Sequence, residues 1–417
     1  MHKTETVPGR ERDNFLWNAA GGMLNAGQSV FLLMVITRIC GLEAAGIFSI
    51  AFATGNLFLY LGNYGVRNYQ VSDLSEQYSF CDYLRHRILT VVLMLAAAAV
   101  YVGWSASAGA YSSYKTSCVL AMCVLKAIDC LEEVFEGRYQ QKGRLDCSGK
   151  LVTFRLVISI GGMMAVLLVT GDLLTATWTA AALAAVAVIG ITVHYRGIAE
   201  FEKTPFSATS LWGLMKACFP VCAANFLSFY LINEPKYAID AAMDETAQAC
   251  YNFIAMPVFV IQLLNMFLYQ PLLVRMTEAW EEKNRKGFLG YFGKLSLALA
   301  AVSVPVLLLA FLFGIPVLSW LYATDLSSLR TELMLIMVGG IFLAFNGFYC
   351  AVLTIMRRQS SISVVYLAGL AVSLVLTPHL TGRMGIFGAV ISFVAVMAAV
   401  TALLTGVFSF ALRKQNG

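Results

Sequence analysis

NFLWNAAGGMLNAGQSVFLLMVITRICGLEAAGIFSIAFATGNLFLYLGNYGV (residues 14–66) contains two charged side chains, Arg38 and Glu43, and both lie near its middle. Residues 14–37 and 44–66 contain no Asp, Glu, Lys or Arg. Each run is long enough to cross a bilayer, which takes about 20 mostly apolar residues. The charged break between them reads as a turn, so the stretch is a pair of membrane helices.

The same signal recurs along the chain. Residues 88–114, 156–171, 173–195, 217–233, 246–274, 295–324, 333–356, 359–382 and 384–412 are also free of charge, and 117–136 is helical in pattern but charged. These runs predict an all-α integral membrane protein of twelve transmembrane helices. Composition agrees: of 417 residues, 59% are hydrophobic and 13% charged. A soluble domain is about half apolar and a quarter charged. The first 13 residues are short and polar with no small-residue cleavage site after them, so the first run reads as a retained helix and not as a cleaved signal.

Basic residues set the orientation. Of 29 Lys and Arg, the pattern puts only Arg38, Lys115, Lys236, Arg330 and Arg383 outside, and Lys126, Arg155 and Lys216 within spans. The rest, Lys3, Arg87 and Lys203 among them, fall on inner segments, which makes both termini cytoplasmic. The longest polar connections, 194–210 and 275–294, are too short to hold a soluble core. The first divides the chain into two six-helix lobes, 1–200 and 201–417, around a central cavity, as in transporters built from repeats.

Catalytic signatures are missing. There is no GxxxxGK[ST] loop, no HExxH and no CxxC, and the ten cysteines sit mostly inside spans. The chain reads as a non-enzyme without cofactor, metal site or catalytic residues. Its basic residues are scattered over inner loops, which gives no nucleic-acid stripe.

Polar residues on the spans point to function. Asn14, Asn18, Gly21, Asn25 and Gln28 share one face of helix one, and Asn56, Tyr60, Asn63, Arg67 and Gln70 share one face of helix two. The stripes suit either a wet cavity or amide bonds between helices. On helix four, Lys126, Asp129, Glu133 and Glu136 occupy one side with Glu132 at its border. Each such charge costs about 2.5–3.5 kcal/mol near the bilayer centre, so it needs water or a partner. Arg155 is a candidate partner for Glu133 or Glu132. Lys126 and Asp129 are candidates for coupling to a ligand or proton. In LSFYLINEPKYAID (residues 227–240), Pro235 should end helix seven at Glu234, which leaves carbonyls for Lys236 to satisfy.

Three segments carry a family resemblance: TRICGLEAAGIFSIAFA with GNYGVRNYQ (37–53 and 62–70), CLEEVFEGRYQQKGRLD (130–146) and INEPKYAID (232–240). With them, most of the chain resembles bacterial polysaccharide-biosynthesis membrane proteins. These are flippases of the O-antigen, capsule or teichoic-acid type, in the superfamily that also holds lipid II flippases and multidrug and toxin extrusion transporters. The resemblance implies an alternating-access translocator of undecaprenyl-pyrophosphate-linked oligosaccharide in the bacterial inner membrane. Its partners would be membrane lipids and, in the pathway, a polymerase and glycosyltransferases. It also implies that Arg38, Arg67, Lys236 and Asn233 meet pyrophosphate or sugar at the mouths of the cavity; on the wet-cavity reading of the stripes, Asn25, Gln28, Asn56 and Asn63 line it. Lipid II flippases carry fourteen helices, so the pair that forms their lipid-tail groove has no counterpart among twelve.

Two other classes compete. A multidrug exporter of the same fold would want a cavity acid, for which Asp129 is available. A non-transporting scaffold for glycan enzymes would have no use for buried charge. A membrane polymerase would need a large outer loop, and the outer loops here are short. The charge bias makes a topology test direct. Tags in 275–294 and after Arg413 should report as cytoplasmic, and a tag in 241–246 as external, by membrane-impermeant labelling. A cytoplasmic signal from the last tag would overturn the twelve-helix reading.

Overall fold

The computed structural model describes residues 8–73, 76–199 and 204–414, with side chains left out at 8–9, 262–271 and 414. Lys3 and Lys203 lie outside the described residues. The elements are α1 (Pro8–Asn63), α2 (Val66–Ser72), α3 (Phe80–Ser107), α4 (Ser113–Gln141), α5 (Leu145–Thr170), α6 (Leu173–His194), α7 (Arg196–Ala199), α8 (Ala208–Ala242), α9 (Glu245–Glu281), α10 (Arg285–Leu309), α11 (Ile315–Tyr322), α12 (Arg330–Ile355) and α13 (Gln359–Lys414). A π-helical turn, Ala310–Gly314, joins α10 to α11, and a short 3₁₀ turn, Ser327–Leu329, precedes α12. Among the described residues, eight helical segments are long and apolar enough to cross a membrane, which makes this a multi-pass membrane protein.

Two of those segments, at 63 and 55 residues, are far longer than one span needs. Both are broken by glycine. Gly41 (φ 85°, ψ −177°) interrupts α1, and Gly385 (φ 60°, ψ −137°) interrupts α13. A side chain strains the backbone in this region, so the breaks fall at residues without a Cβ. The prolines act otherwise. From the sequence, Pro235 predicts a helix end, but α8 runs through Pro220 and Pro235 to Ala242. A proline removes one backbone donor and frees one carbonyl, a loss that packed membrane helices absorb. Lys236 is therefore not the cap of a helix end at Glu234.

The chain divides into two compact units, Met1–Phe226 and Leu227–Gly417, and the dividing point falls inside α8. In the first unit α4 packs against α1, α3, α5 and α6. Small residues allow this. A Cβ on Gly55 would meet Met122 and Lys126 of α4, and one on Gly62 would meet Cys130. An apolar core joins Val66, Phe80, Tyr83, Val134, Tyr139 and Leu151 to Leu214 and Cys218 of α8. The second unit is built on Met276, Phe288, Leu295, Phe348, Val352, Leu404 and Phe408, contributed by α9, α10, α12 and α13.

Gly41→Ala should lower stability by about 1–3 kcal/mol, because an L side chain is strained at that φ. Pro235→Ala should not lower it. Thermal unfolding of detergent-solubilised variants tests the pair; equal losses would mean that proline and not glycine sets the helix breaks.

Candidate functional site: a charge ladder on α4

Along α4, residues 126, 129, 133 and 136 step by three or four positions and so share one side of the helix. Each carboxylate on that side, and Glu132 at its border, has a cationic partner. The partners come from other helices, apart from Lys126 on α4 itself. Lys126 Nζ lies 3.0 Å from Asp129 Oδ2 and 4.6 Å from the centre of the Phe52 ring of α1. Arg155 of α5 donates through Nη1 to Asp129 Oδ1 at 2.7 Å, and its Nε makes a 2.5 Å ionic contact with Glu132 Oε2. Arg87 of α3 donates to Glu133 Oε2 at 2.6 Å, to the Gly62 carbonyl at 2.6 Å and to Asn63 Oδ1 at 3.2 Å. Arg67 of α2 donates to Glu136 Oε2 at 2.9 Å and to Gln140 Oε1 at 3.3 Å.

These pairings decide between the two partners expected for Arg155 and place Arg87 inside a helix. Of the two candidate partners for Arg155, Glu133 is not taken; Arg155 holds Glu132, the other candidate, together with Asp129. Glu133 pairs with Arg87, which the charge pattern puts on an inner segment and which is fully buried in α3. Charge counting along loops cannot see this, because Arg87 lies two turns inside a helix whose N-terminal turn is polar. The signal available was an unpaired carboxylate on helix four. Lys126 and Asp129, the coupling candidates, engage each other.

A small cavity of about 10 Å³, room for roughly one water, opens beside the ladder. Its walls include Gln28 and Phe52 of α1, Asp129 of α4, and Arg155 and Ser159 of α5. Helix-one and helix-four candidates thus meet here. Asn25 is exposed and accepts from Gln28 Nε2 at 2.8 Å. Other stripe members bind helices together. Asn14 Oδ1 accepts from the Asp146 backbone at 2.7 Å, and Gln70 donates to the Val134 carbonyl at 3.2 Å. Asn56 bonds back to the Phe52 carbonyl at 2.8 Å.

Within the first unit, the basic candidates Arg38 and Arg67 stand apart along the chain. Arg38 is exposed just before the Gly41 break. Arg67 follows the helix after that break, whose 22 residues from 42 to 63 span about 33 Å at 1.5 Å per residue. In the second unit, Asn233 and Glu234 are buried inside α8, and Asn233 donates to the Phe229 carbonyl at 3.1 Å. Glu234 faces the Thr377 hydroxyl of α13 and Tyr251 of α9. In the sequence Glu234 reads only as a helix-ending residue, and its place as a buried polar group is not visible there. Lys236 is half-buried on the same helix.

Long apolar helices in two units, one of them organised around buried ion pairs, define a multi-pass helical membrane fold. No protein-family model matches the chain. No curated protein sequence matches it. Solved structures do. The lipid II flippase MurJ, in an inward closed conformation, matches with a TM-score of 0.70 at 11% identity, over 95% of this chain and 87% of that one. An inward-facing multidrug resistance MATE family transporter of the MOP superfamily matches at 0.61 and 13% identity, over 96% and 94%. The bent form of the Vibrio cholerae MATE transporter VcmN matches at 0.60 and 13%, over 98% of each. The chain has the fold of these transporters.

The ladder makes a stability prediction. Arg87→Met and Glu133→Gln should each cost about 3–5 kcal/mol, because each strands a buried partner. The double variant should lose clearly less than the sum. Additive losses in a denaturant-unfolding cycle would remove the pair.

Proposed function

We propose that the chain is a secondary-type translocator that moves undecaprenyl-pyrophosphate-linked oligosaccharide from the inner to the outer leaflet by alternating access. In this reading the membrane is the bacterial inner membrane and both termini are cytoplasmic. The twelve spans are the eight apolar segments, with α1 and α13 each counted twice across their glycine breaks, together with α4 and α9. Pathway partners would be a polymerase and glycosyltransferases. The fold shared with a lipid II flippase supports a lipid-linked substrate.

The observation that carries the choice of substrate is the state of Asp129. A multidrug exporter of cationic compounds needs an acid available to the drug or to its coupling cation. Asp129 lines the cavity but is held at once by Lys126 and Arg155. Around this acid the lining offers a guanidinium, an amide at Gln28 and a hydroxyl at Ser159. The rest of the lining is apolar (Leu32, Phe52, Met122, Leu125, Ile160, Met163 and Ala180), so it is the pairing of Asp129 that speaks against an exporter. The exporter reading keeps support from the MATE-like fold.

A flipping assay separates the two. In proteoliposomes, the purified chain should expose a fluorescent undecaprenyl-pyrophosphate oligosaccharide to an external enzyme without ATP. Deleting the gene in its host should leave loaded carrier lipid on the inner face and reduce surface glycan. Normal surface glycan with raised sensitivity to cationic drugs would support the exporter reading instead.

A further inference from the structure

The four cations of the ladder are not equally enclosed. The side chains of Lys126, Arg155 and Arg87 are 2%, 5% and 0% exposed, whereas Arg67 is 29% exposed. Arg67 also has donor capacity that its one carboxylate does not fill. One nitrogen of its fork meets one carboxylate oxygen of Glu136, and the other reaches the neutral Gln140 amide at 3.3 Å. A guanidinium presents its donors in a plane that matches two oxygens of one carboxylate or phosphate, and Glu136 fills half of that capacity. Glu136 has a second donor, the Ser148 hydroxyl at 3.4 Å, and Arg155 acts on its charge from α5. Its carboxylate therefore keeps partners if Arg67 turns away. Nearby Glu133 is occupied by Arg87.

We propose that Glu136 acts as a built-in competitor at Arg67: its carboxylate occupies the guanidinium until a pyrophosphate group displaces it. This rests on the reading of the substrate as a pyrophosphate-linked lipid. The exchange needs no bond chemistry. A doubly charged group that can take both arms of the fork replaces a singly charged carboxylate that takes one. The competitor also sets selectivity. Singly charged anions gain too little over Glu136 to displace it, while pyrophosphate gains enough. The cost to the substrate is the fraction of time that Arg67 is open, which scales its apparent affinity directly.

The roles of the two residues have opposite signs in a binding experiment, which a purely structural ion pair would not show. The full chain in nanodiscs is titrated with inorganic pyrophosphate, and with nitrate, a singly charged oxyanion, as the reference anion. Glu136→Gln should tighten pyrophosphate binding about tenfold and narrow the preference for pyrophosphate over nitrate. Glu136→Asp, which keeps the charge but shortens its reach, should give a smaller gain in the same direction and serves if the Gln variant folds poorly. Arg67→Lys should weaken binding, and in the double variant Arg67→Lys with Glu136→Gln the gain should vanish. Unchanged or weaker pyrophosphate binding in both Glu136 variants, in protein with normal thermal unfolding, overturns the proposal, as does a gain that survives Arg67→Lys. The flipping assay on the unaltered chain reads the function separately. If the chain fails to flip the lipid while the Glu136 variants gain affinity, the competitor stands and the substrate reading falls. If it flips the lipid and neither variant gains affinity, the substrate reading stands and the competitor falls.

Discussion

Charge neutrality along α4 is the constraint on which the first unit depends. Asp129, Glu132, Glu133 and Glu136 sit on a helix packed against α1, α2, α3, α5 and α6, and each would be very costly to bury alone. They are balanced by Lys126, Arg155, Arg87 and Arg67, drawn from α4, α5, α3 and α2. The pairs therefore fix more than energy. Moving α3 or α5 along α4 by one turn would part Arg87 from Glu133 or Arg155 from Asp129 and leave charges stranded in an apolar setting. A buried ion pair is weak evidence for high stability, but a strong restraint on register.

The ladder works only because the backbones come close. Gly55 and Gly62 place α1 against Lys126 and Cys130 with no side chain between. That closeness puts the Phe52 ring over Lys126 and lets the Gly62 carbonyl accept from Arg87. Gly41 and Gly385 have a different task, since their left-handed backbone divides two segments each too long for one crossing. Small residues thus do two separate jobs here, one in packing and one in bending.

The functional reading follows from how that charge is distributed. Toward Asp129 and Arg155 the ladder is closed, nearly dry and bordered by a cavity of about one water. Toward Arg67 it is more exposed, and the guanidinium is shared between one carboxylate oxygen and an amide. In the proposed function, the enclosed end holds the fold while Arg67 exchanges its partner for a charged group. In the second unit the buried carboxylate of Glu234 faces Thr377 and Tyr251.

Much of this was legible in the sequence. Charge-free runs of span length mark membrane helices because an unpaired polar backbone cannot persist in lipid, and that rule acts locally along the chain. The three-and-four spacing of charges on helix four showed that a paired or wet face must exist. What the sequence could not assign was the partners. Arg87 looked like an inner-segment residue because its neighbours Arg85 and His86 are polar too, and only the packing of α3 on α4 buries it against Glu133. Pro235 looked like a helix end because proline acts locally through a lost donor, whereas the continuation of α8 to Ala242 depends on neighbours that surround it. Local rules decide what enters the membrane. Which charge meets which depends on helix register, and register is a property of the packed structure alone.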